Sequence, residues 1–107
     1  VIGDMISPFK AALGLDYKAF EAKLEAAIHL RFGLPPHPSA TVKAVVKRAD
    51  LICAYFEATQ LAGFSETEAK GFFGAPPPRM RFILRPQATE AVQAAFLKRF
   101  RSLIDRE

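Results

Sequence analysis

The chain has 107 residues, of which half are hydrophobic, with 15 Lys and Arg against 11 Asp and Glu and a net charge of +4. That length predicts one small domain, and that composition excludes an intrinsically disordered chain. No stretch approaches the roughly 18 consecutive apolar residues of a membrane span, so a membrane is not an expected partner. The single cysteine, Cys53, excludes a disulfide framework and a Cys-x-x-Cys metal site, and it points to a reducing, cytoplasmic setting. The cationic excess fits either a basic surface or a nucleic-acid binder. The basic residues are spread from Lys10 to Arg106, however, and the densest group (Lys98, Arg99, Arg101, Arg106) lies where a helix C-terminus favours cations. Nucleic acid is therefore not the expected partner.

Residues 1–15 are expected to be irregular. The Ser7-Pro8 step disfavours helix at Ser7, Phe9 to Leu13 fit a short turn, and Gly14 fits its end. Asp16 is placed to cap a first helix. From there Tyr17, Phe20, Leu24, Ala27, Ile28 and Phe32 recur at three- and four-residue steps, and Gly33 supplies a stop. A proline-rich connector, LPPHPSA, comes next and carries an exposed His37. Ser39 or Thr41 starts a second helix to about Leu61. Its apolar side is expected to comprise Val42, Val45, Val46, Ala49, Ile52, Cys53 and Phe56, with Cys53 a buried thiol. Gly63 ends it.

The run Ser65-Glu66-Thr67-Glu68 has the form of a capping box, opening a short helix to Phe73 before Gly74. APPPRMRFILRP, residues 75–86, is expected to be an extended linker, because consecutive prolines favour polyproline geometry. MRFIL alone would make a strand without a partner. A last helix runs from about Gln87 to Ile104, with Val92, Ala95, Phe96, Phe100, Leu103 and Ile104 on its apolar side. The predicted fold class is all-α: two long helices of antiparallel type, a short capped helix and a C-terminal helix after the linker.

Few residues offer chemistry. In the second helix, Lys43, Lys47, Asp50, Ala54 and Glu57 form one stripe at about 100° per residue. Asp50 borders the predicted apolar face, where a carboxylate costs free energy unless a cation or metal meets it. A pair with Lys47 or Lys43 and a metal ligand are both open, and spacing does not separate them. His29 has no His or Cys neighbour at ligand spacing, and a zinc-like site needs at least three protein ligands. Walker, Gly-x-Ser-x-Gly and Gly-x-Gly-x-x-Gly motifs are absent from the sequence.

Taken together, GDMISPFK, DYKAFEAKLEAAI and VKRADLICAYFEA resemble the bacterial HD-domain phosphohydrolases, in particular the 5′-deoxynucleotidase-like group, over about residues 1–64. The resemblance implies an HD-domain-like helical fold in two parts, with residues 1–74 the C-terminal part of the HD domain. Residues 75–107 would be the linker and a helix packing on the same domain. It also implies a metal-dependent phosphomonoesterase acting on nucleoside 5′-monophosphates or related phosphate esters, with a divalent cobalt, manganese or magnesium ion. Asp50 matches the family's distant metal-binding Asp. Asp4, Met5, Ile6 and Ser7 match a segment lining the substrate pocket, with Asp4 in a catalytic role, and Lys10 matches a basic position there. The alternative for Asp4 is a turn residue and for Ser7 a plain turn before Pro8.

In such a site the metal would lower the pKa of a bound water and so supply hydroxide for attack on phosphorus, with the P–O bond to the ester oxygen breaking. The family's His and His-Asp ligands would precede Val1. Val1 and Ile2 then fit the end of the helix that carries the dyad, and the chain is expected to be the incomplete C-terminal portion of its enzyme. Association with the missing N-terminal part, or a homo-oligomer, is the expected assembly. The alternative from another class is a non-catalytic basic helical module that binds protein or nucleic acid.

Overall fold

The computed structural model describes residues 7–105, with side chains from residue 16 onward. These residues form four α-helices and no strand: α1 (Ser7–Arg31), α2 (Ala40–Gln60), α3 (Glu66–Phe73) and α4 (Thr89–Ile104). The protein is all-α. It divides into two compact units, residues 1–47 and 48–107.

The largest departure from expectation is at the start. Residues 7–15 are helical and continuous with residues 16–31, so α1 is 25 residues long and Asp16 lies inside it, not at its cap. Pro8 falls in the first turn, where its missing N–H has no intrahelical acceptor to satisfy. Gly14 costs about 1 kcal/mol relative to Ala inside a helix, and α1 continues through it.

The end of α1 obeys the expected chemistry. Gly33 takes φ 72°, a left-handed conformation open to glycine without a Cβ penalty. Its N–H donates to Leu30 O at 3.1 Å, and the Leu34 N–H donates to His29 O at 2.8 Å, the paired bonds of a Schellman ending. His29 and Arg31 lie in the last turn, where the helix dipole favours positive charge.

Ser39 caps α2, as its Oγ accepts from the Val42 N–H at 3.2 Å. In the unit 48–107, the second half of α2 meets α3 and the linker. Tyr55, Phe56, Ala58 and Ala69 are buried there, with Ile52, Phe64, Phe73, Met80 and Leu84 packed around them. Phe56 meets Tyr55 and Phe82 edge-on, at centroid distances of 5.3 and 5.2 Å, a favoured arrangement for aromatic quadrupoles. The capping box of α3 is present in full: the Glu68 N–H donates to Ser65 Oγ at 3.1 Å, and the Ser65 N–H donates to Glu68 Oε2 at 3.0 Å.

Much of the predicted apolar surface is not covered among the described residues. Every residue from 41 to 50 is exposed, and Val45 and Val46 are 64% and 62% exposed. Cys53 is also exposed, which corrects its assignment to the core. Tyr55, Phe56 and Ala58 hold the buried side of α2, and at about 100° per residue Cys53 lies far from Tyr55 and Ala58, at the edge beyond Phe56. The helix α4 begins at Thr89, with no side-chain cap at Ala88, and contains no buried residue.

Candidate functional site

Of the site residues expected from the sequence, Asp4, Met5 and Ile6 lie outside the described residues, as do Val1 and Ile2. Ser7 and Lys10 belong to the first turn of α1. Asp50 sits at mid-length on α2 and is exposed. Its surroundings change the argument made for it. Among the described residues every position from 41 to 50 is exposed, so Asp50 is not set at the edge of a buried layer there. Asp50 and Lys47 each take part in an interaction, so neither is idle. The stripe of Lys43, Lys47, Asp50 and Glu57 presents mixed charge to solvent.

Among the described residues, no group of three or more His, Cys, Asp or Glu stands together. The described residues therefore do not fit a metal ion by themselves. Asp50 offers one carboxylate ligand and no more.

His29 has a structural task. Its Nδ1 lies 3.0 Å from Pro35 O, and its Nε2 lies 3.9 Å from Glu25 Oε1. The ring ties the proline-rich connector to the end of α1, in keeping with its lack of ligand-spaced neighbours.

Tyr17 is a buried tyrosine on an otherwise exposed part of α1. Its hydroxyl makes no hydrogen bond of good geometry among the described residues. Glu21, one turn on, is the carboxylate that acts on it. That interaction first, then burial, then the Glu21 charge hold the phenol above its ordinary value of 10.0.

One feature of the surface has no counterpart in the sequence expectations. A half-open cavity of about 810 Å³ lies between the second half of α2, α3 and the linker, within the size range of small-molecule sites. Its apolar lining includes Tyr55, Phe56, Phe64 and Phe82, and Lys70 and Arg81 also face it. Its signal in the sequence is PPPRMRF, where proline stiffness adjoins alternating cationic and apolar residues. The same stretch is both linker and wall.

These features define an all-α protein with a carboxylate displayed on one long helix and an aromatic-lined cavity beside it. No family model matches the chain. It is similar to an uncharacterized protein of Rhodobacter capsulatus, 45% identical over 106 residues, which is 97% of this chain and 54% of that relative. The chain thus spans about half the length of the curated relative it matches.

Proposed function

We propose that the chain is the C-terminal part of an HD-domain-like, metal-dependent phosphohydrolase. Its substrates would be nucleoside 5′-monophosphates or related phosphate esters. The observation that carries this reading is the ordered pair of motifs, GDMISPFK and VKRADLICAYFEA, at the family's separation. The solvent-open position of Asp50 on α2 is compatible with it, because a ligand to an external ion must not be sealed in a core.

In this reading Asp50 contributes one ligand to a divalent cobalt, manganese or magnesium ion, and a His-Asp segment contributes the others. Asp4, Met5, Ile6 and Ser7 would line the substrate pocket, with Asp4 helping to hold the reacting end of the substrate or its water, and Lys10 would supply a basic position there. The first half of α2 and α4, with their exposed apolar side chains, meet that segment or a second copy of the chain.

The test is phosphate release from nucleoside and deoxynucleoside 5′-monophosphates by the full-length protein, with cobalt or manganese added. Turnover should fall to background in Asp50→Ala, with bound metal reduced and helix content unchanged. Near-normal turnover in that variant overturns the assignment of Asp50. A coding sequence with no His-Asp pair on the N-terminal side of Val1 overturns the family reading. A monomeric mass by light scattering, for the full-length protein at high concentration, removes the proposed self-association.

The alternative, a helical module that binds another protein, is favoured by the lack of any buried residue in α4. It predicts no phosphate release under any metal.

A further inference from the structure

The aromatic-lined cavity of residues 48–107 has features of a built site. The linker forming its wall is held in place by specific bonds. The Gly74 N–H donates to Lys70 O at 2.9 Å, and the Met80 N–H donates to Pro77 O at 3.0 Å. Gln60 then clamps the far end, donating from Nε2 to Phe82 O at 2.7 Å and accepting at Oε1 from the Leu84 N–H at 2.8 Å. Pro76, Pro77 and Pro78 stiffen the stretch between these anchors. A wall fixed before binding lowers the ordering cost that a ligand must offset.

The lining also selects a chemistry. Tyr55 and Phe56 form a buried aromatic floor, and Phe82 stands half-exposed at the side. The Gln60 amide is consumed by the clamp, and the Thr59 hydroxyl donates back to the Tyr55 and Phe56 carbonyls at 3.0 and 3.3 Å. The charged groups left to face a ligand are Lys70, Arg81 and Glu66. Neither Lys70 nor Arg81 makes an ion pair among the described residues. The segment from residue 75 to 88 also carries Arg79 and Arg85 and no acidic residue, so the field at the mouth favours an anion.

We infer that this cavity binds a hydrophobic anion: a flat apolar or aromatic body bearing one carboxylate, sulfonate or phosphate. The body lies against Phe56 and Phe82, and the anionic end meets Lys70 and Arg81. Arginine suits this role through its planar fork of donors, and lysine through its compact charge. At about 100° per residue, Thr59 is half a turn of the helical wheel from Asp50, so the cavity opens on the side of α2 opposite that carboxylate. The inference does not depend on the proposed phosphohydrolase activity.

Naphthalene-2-sulfonate is the probe, because it carries both halves of this chemistry and has no phosphate to hydrolyse. Amide chemical shifts of the full-length protein, titrated with it, should move saturably at Tyr55, Thr59, Lys70 and Phe82. 2-Naphthol, which has the body without the charge, and inorganic sulfate, which has a charge without the body, should each bind at least about tenfold more weakly. The double variant Lys70→Gln, Arg81→Gln should weaken the sulfonate roughly tenfold, two exposed ionic contacts each contributing up to about 1 kcal/mol. Phe96→Ser, on the exposed face of α4, should leave its affinity unchanged. The proposal is overturned if 2-naphthol binds as tightly as the sulfonate, if the double variant binds normally, or if the shifts fall on α4 instead. It is also overturned if no saturable shift occurs, or if a proline-rich peptide shifts the same amides and the sulfonate does not.

Discussion

The second half of α2 and the whole of α4 belong to the same compact unit, and both carry apolar residues at helical spacing. They end in opposite conditions. Tyr55, Phe56 and Ala58 are buried, whereas Phe96 is 70% exposed and no residue of α4 is buried. Periodicity is common to the two regions, so it cannot be the cause of the difference. The cause is the second layer. The Ser65 capping box starts α3 where Ala69 can reach α2, and the clamp from Gln60 brings Phe82 and Leu84 back onto the same helix. An amphipathic helix states which side should leave water, but burial requires a neighbouring element held at the right distance.

The sharpest way to break this contrast is to truncate one phenylalanine in each region. Phe56→Ala removes a buried ring with two aromatic partners and should cost about 3–5 kcal/mol. Phe96→Ala should change stability by no more than about 0.5 kcal/mol. Urea denaturation of the two variants checks both, and equal losses would remove the distinction.

Smaller effects probe how the second layer is held. Gln60→Ala breaks both bonds to the linker and should cost about 1–3 kcal/mol in total. The Leu84 amide should then exchange with solvent faster, which hydrogen exchange measures, and unchanged protection would mean that the clamp does not hold the wall. Ser65→Ala should cost about 1 kcal/mol. Its effect should be felt in the protection of α3 amides and be absent from α4.

The smallest effect lies in the other unit. Tyr17 should ionise above its ordinary value of 10.0, and its midpoint should fall in Glu21→Gln. Because the folded state holds the proton more tightly, the Tyr17 contribution to stability is present below the unfolded value and is lost as pH rises through the folded one. Absorbance titration of the phenol reads this directly. A midpoint indifferent to Glu21 would contradict the stated cause.

The residues legible in advance are those whose effect is local. Gly33 and Gly63 end helices because their positive φ suits a residue without Cβ. Ser39 and Ser65 start helices because a short hydroxyl satisfies N–H groups that no carbonyl reaches. Weighed singly, local signals mislead. Ser7-Pro8 and Gly14 look like interruptions, yet α1 includes Ser7 and Pro8 in its first turn and runs through Gly14, because one unfavourable residue does not outweigh a long cooperative helix. The candidate site is less legible. A motif singles out Asp50 but does not reveal its exposure, because a helical wheel assumes that every apolar stripe is covered.

The all-helical class, the four helices and most of their ends thus arise from the chain's own local chemistry: caps, stops and apolar spacing act over a few residues and need no partner. Which faces become core was decided only in three dimensions. Tyr55 and Phe56 are inside while Val45, Cys53 and Phe96 are outside, because burial depends on what α3 and the linker physically reach. The same dependence produced the cavity. Its residues, from Tyr55 to Phe82, are spread along the chain, and only the Gln60 clamp and the stiff prolines gather them around one space.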